Sequence, residues 1–299
     1  DLKWETTTQT NVGLDFGLYK QKLSGSVDYY IKKTEDILVL PPYLGVIGEG
    51  GNRWVNGASM ENEGWEVSLG YRDETSFGLK YDISANVSAN KNKITALPDE
   101  VRNNYGGNGV DDNILGRPIN SMYGYVTDGL FKSQDEVDNS ANQDGKGLGR
   151  IRYKDLNGDG TITDKDRTWI GNPNAGLLYG FNLNLSYKNF DFNTFWEGVN
   201  DVDVINNTKY QTDFWSVDDV GSNKGTRLLN AWSVDNPNST IPALTTVDRN
   251  AESRFSTYYV ENGNYLKLRV LQVGYSLPKD VLKKMSIESF RLYISGQNL

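Results

Sequence analysis

One short stretch of the sequence, DLNGDGTITDKDR at residues 155–167, has the residue types and spacing of a calcium-binding loop. Calcium binds oxygen ligands, and such loops place them at positions 1, 3, 5, 7 and 12, with a glycine at position 6 for the sharp turn. The stretch therefore predicts a calcium site. The residues at the five ligand positions are Asp155, Asn157, Asp159, Thr161 (through its backbone carbonyl) and Asp166.

The end of this loop differs from that of a calcium sensor. Position 12 holds Asp166, where sensors carry a bidentate glutamate, and the flanking stretches GRIRY and TWIGNP have no helical pattern. We therefore expect a structural calcium ion of modest affinity, and no signalling switch. The alternative is a metal-free turn, because Asn, Asp and Gly tolerate left-handed backbone and the Asn and Asp side chains bond to their own backbone.

The composition excludes several classes of function. The 299 residues include no His and no Cys, which removes the commonest general base, disulfides and thiolate metal sites. A glycosidase needs only two carboxylates, but no stretch combines such a pair with the features of a pocket. The net charge of -8 disfavours a nucleic-acid partner, which requires clustered Lys and Arg. We therefore predict neither an enzyme nor a nucleic-acid-binding protein.

The elements around the calcium-type loop alternate apolar and polar residues with a period of two, which is typical of β-strands. In the first of them Leu14, Phe16 and Leu18 alternate with Asp15 and Gly17. Eight stretches of this kind predict an all-β protein. They lie at about residues 8–19, 23–31, 65–72, 77–87, 181–187, 190–196, 258–276 and 286–299.

The connections between these predicted strands are alternately short and long. The short ones lie at about residues 20–22, 73–76, 188–189 and 277–285, and the long ones at about 33–61, 93–176 and 200–257. All long connections would therefore leave the same end of the sheet, as in an antiparallel up-and-down outer-membrane barrel with extended external loops. Aromatic residues close to the short connections would form an interfacial belt. They are Tyr19, Tyr71, Phe77, Tyr187, Phe190, Tyr275 and Phe290.

The alternating faces favour a membrane wall, with apolar side chains on lipid and polar side chains on a water-filled lumen. No window approaches eighteen apolar residues, which excludes a transmembrane helix, and residues 1–30 lack a signal-peptide pattern. The chain opens on DLKWE without a start signal and stops at SGQNL within a strand pattern, so we expect a fragment whose remaining barrel strands come from elsewhere. The alternative is a soluble, secreted β-sandwich, stabilised by calcium, that binds carbohydrate.

Five separated motifs closely resemble the C-terminal barrel of the SusC/RagA family of TonB-dependent transporters, in the family's order. They are NGASMENEGWEVSLGY (56–71), GRPINSMYGYVTDGLF (116–131), DLNGDGTITDKDRTWIGNPNAGLLYGFNLNLSYKNFDF (155–192), STYYVENGNYLKLRVLQVGYSLP (256–278) and RLYISGQNL (291–299). The resemblance implies that residues 1–299 are the C-terminal portion of a barrel of about 22 strands in the outer membrane. Residues 93–176 would then form a long extracellular loop that contains the calcium-type loop 155–166.

The resemblance also implies partners. It implies import of oligosaccharides or peptides, energy from TonB through an N-terminal region absent from this chain, and a SusD-like lipoprotein over the external face. Substrate contacts are expected from external aromatic rings, which can stack on sugars or grip peptide side chains. The stretch DFWSVDD at 213–219, with rings beside carboxylates, is the strongest single candidate. The substrate or partner candidates are Trp54, Phe214, Trp215 and Trp232.

Overall fold

A single antiparallel sheet of eight strands dominates the structure, a computed structural model that describes residues 2–41, 54–102, 113–214, 223–245 and 250–299. The eight strands follow one another in the sheet in chain order. They are β1 (Thr6–Leu18), β2 (Leu23–Val39), β3 (Val55–Glu74), β4 (Leu79–Ala96), β9 (Leu177–Tyr187), β10 (Phe190–Asn200), β13 (Tyr265–Ser276) and β14 (Arg291–Gln297).

The remaining elements are short and lie in the connections. Three two-stranded sheets pair β5 with β8, β6 with β7 and β11 with β12. These strands are β5 (Met122–Tyr125), β6 (Thr127–Leu130), β7 (Ile151–Tyr153), β8 (Arg167–Gly171), β11 (Asp203–Ile205) and β12 (Val260–Asn262). The helices are α1 (Asp99–Arg102), α2 (Gln134–Asn139), α3 (Thr208–Thr212) and α4 (Lys279–Lys284). None of the helices in the described ranges is long and apolar enough to cross a membrane.

The register of the sheet separates its two faces. Val67 of β3 lies opposite Val27 and Val87, whereas its neighbour Glu66 lies opposite Asp28 and Ser88. Side chains directly opposite each other share a face, because successive residues of a strand point to opposite sides. The same alternation continues across all eight strands, so one face of the sheet is mainly apolar and the other mainly polar.

The apolar face is exposed over wide areas. Val12 on β1 is 69% exposed and Ile294 on β14 is 84% exposed. No second sheet covers this face within the described part of the chain, so the β-sandwich alternative is wrong, because a sandwich buries its apolar faces against each other. A soluble monomer rarely exposes a contiguous apolar surface of this extent. The sheet is therefore the open wall of a barrel that does not close within this chain.

Strands β2, β3 and β4 continue beyond the predicted ends at the side of the long connections. The sequence predicted strands only over 23–31 and 65–72, since the apolar alternation ends there. In the structure Glu61 of β3 forms ion pairs with Lys33 of β2 at 3.4 Å and with Lys93 of β4 at 2.7 Å. Cross-strand pairs of opposite charge stabilise a sheet without any apolar face. The sheet therefore continues beyond its apolar band, first through these ion pairs and then through a buried cluster that includes Ala58 and Ile94.

The opposite end of the sheet carries the predicted aromatic belt. The rings of Phe77 and Tyr187 lie 6.0 Å apart, and those of Phe190 and Tyr275 lie 4.7 Å apart. The connection between β13 and β14 differs from the predicted short turn, because it contains α4. Pro278 stands at the N-cap of this helix and its Leu282 is buried, so β14 begins only at Arg291.

Candidate functional site

The two longest connections, between β4 and β9 and between β10 and β13, fold together into one unit. We call this unit the loop cap and define it as the described residues of 113–176 and 201–264. Eight buried residues from both connections form its hydrophobic core, which lies apart from the sheet. They are Tyr125, Leu130, Ile151, Tyr153, Ile162, Phe214, Trp232 and Tyr259.

Backbone hydrogen bonds join the two connections. The amide of Tyr125 donates to the carbonyl of Phe255 at 3.0 Å, and the amide of Thr257 donates back to the carbonyl of Tyr125 at 2.9 Å. The hydroxyls of Thr127 and Thr257 lie 2.7 Å apart, although 130 residues separate them in sequence. The segment around Thr257 therefore runs beside β5 like an added strand.

A buried ion pair lies at the same junction. Nη1 of Arg150 lies 2.7 Å from Oε2 of Glu252, whose side chain is only 1% exposed. Beside it Nε2 of Gln143 donates to the carbonyl of Ile151 at 2.8 Å and to Oδ1 of Asn250 at 2.7 Å. Charged and amide groups at this depth require such partners. The network fixes residues 250–252 inside the other connection.

Three tyrosines and an aspartate complete the contact between α3 and the end of the second connection. The rings of Tyr210 and Tyr259 stack at 3.7 Å between centroids. The hydroxyl of Tyr258 donates to Oδ2 of Asp213 at 2.6 Å, and Arg227 lies 3.5 Å from the same oxygen. Burial raises the pKa of both Tyr258 and Tyr259, so their hydroxyls stay protonated and act as hydrogen-bond donors at neutral pH.

The calcium-type loop closes on itself through its acidic side chains. The two carboxylate oxygens of Asp155 accept from the amides of Gly158 and Gly160, both at 2.8 Å. The hydrogen bond from Gly160 is the main reason that the pKa of Asp155 lies below its ordinary value. Oδ1 of Asp159 accepts from the amide of Thr161 at 2.9 Å. Gly158 and Gly160 have φ of 76° and 82°, the left-handed conformation that glycine adopts without strain.

The carboxylate of Asp166 forms the closed end of this loop. It is fully buried and accepts from the amides of Leu156 at 3.0 Å and Thr163 at 2.7 Å. In the described residues no three acidic, His or Cys side chains form a group arranged to hold a metal ion. The donor types of the loop, carboxylate and amide oxygens, still fit calcium chemically. Calcium binding at Asp155, Asn157, Asp159, Thr161 and Asp166 therefore stays a prediction.

The calcium-type loop is attached to the cap core at three points. The amide of Asn142 donates to the carbonyl of Gly160, and the amide of Ile162 donates to the carbonyl of Asn142, both at 2.8 Å. The side chain of Ile162 enters the cap core. The hydroxyl of Tyr125 donates to Oδ1 of Asp164 at 2.8 Å, and burial followed by this bond raises the pKa of Tyr125 to about 12.

The four aromatic candidates from the sequence lie in different environments. Phe214 is 3% exposed and Trp232 is 9% exposed, and both rings pack in the cap core. In this arrangement they hold the two connections together and present no ring surface to a ligand. Trp54, the residue before β3, is 52% exposed. Trp215 lies outside the described residues.

Residues that sequence reasoning missed organise the cap. Arg150, Glu252 and Asn250 lie in irregular segments, where polar residues are usually solvated, so no pattern indicated their burial. The pair Tyr258–Tyr259 carried a weak signal, since two adjacent aromatic residues cannot both lie on the apolar side of a strand.

The sequence is similar to receptors of one family. Residues 1–125 match the family model described as TonB dependent receptor-like, beta-barrel. Over its full length the chain is 35% identical to TonB-dependent receptor P3 of Formosa agariphila, covering 30% of that protein. It is 28% identical to TonB-dependent receptor SusC of Bacteroides thetaiotaomicron, again over the whole chain and covering 29% of that protein.

The fold is also similar to that of solved structures. The chain superimposes on the RagAB peptide importer in its closed-closed state with a TM-score of 0.77 and 26% identity, covering 100% of this chain and 32% of that one. The open-open state of the same importer also gives a TM-score of 0.77. The chain thus spans about 30% of the length of the curated relatives that it matches. These relatives are named as TonB-dependent receptors. The SusC/RagA proteins among such receptors are outer-membrane proteins. Residues 1–125 are thus β-barrel sequence of the TonB-dependent receptor family, and the chain as a whole is similar to receptors of that family.

Proposed function

We propose that this chain forms part of the barrel wall and the external loops of an outer-membrane importer for oligosaccharides or peptides. In this proposal the importer works with a SusD-like surface lipoprotein and draws energy through TonB. The single observation that carries it is the eight-stranded sheet with an exposed apolar face and a polar opposite face. A bilayer accepts a strand wall only in this form, and only when the wall closes into a barrel.

The shape of the connections supports the assignment of sides. The short connections carry the aromatic belt, and the loop cap stands at the other end of the sheet. Outer-membrane barrels have short periplasmic turns and long external loops. The loop cap would therefore face the cell exterior, where a nutrient and a surface lipoprotein would approach.

The partners and the energy source rest on the relatives. RagAB is named as a peptide importer and SusC as a TonB-dependent receptor, and both align with the whole of this chain. The calcium-type loop adds a structural role: an external ion of modest affinity would fix residues 155–166 against the cap core.

Uptake by cells would test this proposal. A strain lacking the full-length receptor should lose growth on, and import of, at least one oligosaccharide or peptide, and membrane fractionation should place the receptor in the outer membrane. Affinity purification of the receptor in mild detergent should recover a SusD-like lipoprotein. A receptor found in the soluble fraction, or a deletion strain with unchanged uptake of both classes, would contradict the proposal.

A further inference from the structure

The short connections of the sheet carry a charge opposite to that of the chain. Measured between the strand ends, they contain six lysines and two acidic residues, a net charge of +4, whereas the whole chain has a net charge of -8. They are residues 19–22, 75–78, 188–189 and 277–290. This positive charge stands at the end of the sheet that carries the aromatic belt, next to the apolar face that contacts lipid.

The longest of these connections, 277–290, leaves the sheet beside the belt. The register places Tyr275 opposite Leu292 on the apolar face, and the amide of Leu277 donates to the carbonyl of Phe290 at 2.9 Å. Because side chains alternate along a strand, Leu277 and Phe290 lie on the same apolar face, two residues further along. The connection therefore starts and ends as a continuation of the lipid-facing surface.

Helix α4, within this connection, has an exposed apolar side. Leu282 is buried, whereas Val281 and Met285 are 41% and 53% exposed. Val281 and Met285 are four residues apart and therefore lie on the same side of the helix. After the helix the amide of Ile287 donates back to the carbonyl of Leu282 at 3.1 Å, which keeps a further exposed apolar residue at the end of α4. The described part of the chain leaves these apolar side chains uncovered.

Lysines occupy other sides of α4. With about 3.6 residues per turn, Lys279 and Lys283 lie nearly opposite the side of Val281 and Met285, and Lys284 lies between the two sides. None of these three lysines forms an ion pair with a carboxylate of the described residues. The helix therefore combines exposed apolar side chains with unpaired positive charge.

A second connection extends this lysine surface to the belt. Nζ of Lys188 lies 5.1 Å from the centroid of the Tyr187 ring, which belongs to the belt. Two hydrogen bonds join the connections: the amide of Ser276 donates to the carbonyl of Asn189 at 2.8 Å, and Nδ2 of Asn189 donates to the carbonyl of Ser276 at 2.6 Å. Lys188 and the connection that contains α4 therefore belong to one surface.

Two properties of this surface identify its ligand. Its apolar side chains are continuous with the face of the sheet that contacts hydrocarbon, since Leu277 and Phe290 lie between them. A helix with apolar side chains on one side and lysines on the others is typical of one that lies in the interface plane of a bilayer. Each lysine at such a surface favours anionic over neutral lipid by about fivefold. Continuity with the lipid face and complementary charge thus both indicate anionic lipid.

We propose that α4 and the turn at 188–189 form a binding site for anionic phospholipid headgroups. Val281 and Met285 enter the bilayer next to Phe290, and Lys188 and Lys284 bond to headgroup phosphates. The inference rests on the assignment of sides under the proposed function, by which this end of the barrel lies at the inner leaflet. It adds a lipid ligand that import itself does not require.

The test uses the full-length receptor in lipid nanodiscs, with any cysteine outside residues 1–299 replaced by serine. One cysteine, introduced as Met285→Cys, carries a small fluorophore, and phospholipids brominated on their acyl chains quench it on contact. The reference labels are Val27→Cys on the apolar face and Ser26→Cys on the polar face. Quenching by brominated phosphatidylglycerol against brominated phosphatidylcholine gives the relative affinity for the anionic lipid.

The charge variant is Lys188→Gln with Lys284→Gln. Its matched control, Lys132→Gln with Lys154→Gln, makes the same change in net charge at exposed positions of the loop cap. An unlabelled receptor gives a second measurement, because native mass spectrometry counts the phosphatidylglycerol molecules that remain bound to it.

We expect quenching at residues 285 and 27 and none at residue 26. At residue 285 phosphatidylglycerol should be preferred by about tenfold, and the charge variant should reduce this preference to about twofold. The control variant should keep it, and so should the number of phosphatidylglycerol molecules retained by the unlabelled control. The label at residue 27 should show no preference between the two lipids.

The outcomes separate this site from the proposed function. If residue 27 is quenched and residue 285 is not, α4 lies away from the bilayer and the lipid site is overturned, while the import function stands. Equal preference for phosphatidylglycerol in the wild type and the charge variant, or none in either, overturns it as well. If residue 27 itself is not quenched, the wall does not face lipid, and both the lipid site and the proposed function fail.

Discussion

The sheet and the loop cap are stabilised in opposite ways, although they belong to one continuous chain. The sheet buries apolar side chains mainly at the upper ends of β2–β4, where Ala58 and Ile94 belong to a second cluster. Elsewhere its apolar side chains point outward, and its order comes from a continuous ladder between neighbouring strands. The loop cap buries Tyr259 and Glu252 completely, and its strands are only three to five residues long. The sheet therefore depends on its surroundings, whereas the cap behaves like a small globular domain.

Truncation of the cap core gives the largest expected effect. Tyr259→Ala removes a fully buried ring together with its hydrogen bond to the carbonyl of Glu252. We expect it to lower the free energy of opening the cap by about 4 kcal/mol. Hydrogen exchange on the full-length receptor should show faster exchange across the cap and unchanged exchange in the sheet. Equal acceleration in both regions would mean that the cap is not a separate cooperative unit.

The buried ion pair comes next. Glu252→Gln leaves the charge of Arg150 largely buried without its counterion, and we expect a loss of about 3 kcal/mol in cap stability. The double variant Arg150→Met, Glu252→Gln should recover much of this loss. The control is Asp144→Asn, because Asp144 is 90% exposed and lies 3.9 Å from Arg254. An effect of the control equal to that of Glu252→Gln would argue against burial as the cause.

The effect of an introduced charge on the stability of the receptor should depend on the face of the sheet that it occupies. Val27 lies opposite Leu14 and Val67 on the apolar face, whereas Ser26 lies opposite Asp15 and Ser68 on the polar face. Val27→Lys should destabilise the receptor refolded in lipid vesicles by about 2 to 3 kcal/mol. Ser26→Lys should change its stability by less than about 1 kcal/mol. Denaturant titration of both variants measures the difference, and equal losses would contradict the assignment of faces.

Calcium removal is the smallest of the four effects. If the calcium-type loop binds an ion of modest affinity, the cap should be less stable after chelation than at millimolar calcium, by about 1 kcal/mol. Exchange should accelerate at residues 155–166 and around Asn142, which bonds to that loop, and stay constant in the sheet. Asp155→Asn should abolish this response. A receptor with no calcium heat and no change on chelation would leave a metal-free turn.

Much of the sheet could be predicted from sequence because the alternation of apolar and polar residues within each strand shows which side chains lie on which face. The alternation of Leu14, Phe16 and Leu18 with Asp15 and Gly17, for example, is visible within that one segment, without knowledge of its neighbours in the sheet. The upper ends of β2 and β3 could not be predicted, since Lys33 and Glu61 stabilise them only as a cross-strand pair. For the same reason the strand predicted from about residue 258 begins too early. Val260 belongs to β12, which pairs with β11, and β13 begins only at Tyr265.

The structure of the loop cap could not be predicted from the sequence for a related reason. Its core forms between segments about a hundred residues apart, for example Arg150 and Glu252, and neither segment has a period that reveals which side chains are inside. Exposed-looking aromatic residues in long connections, such as Phe214 and Trp232, were therefore predicted as contact residues, and they pack the core instead.

The position of Thr257 beside Thr127 also constrains the order in which the molecule can be assembled. The hairpin of β9 and β10 lies between these two residues in the chain, so the loop cap can be completed only when both ends of that hairpin have been brought together. Until the two connections meet, their backbones would be exposed to proteases.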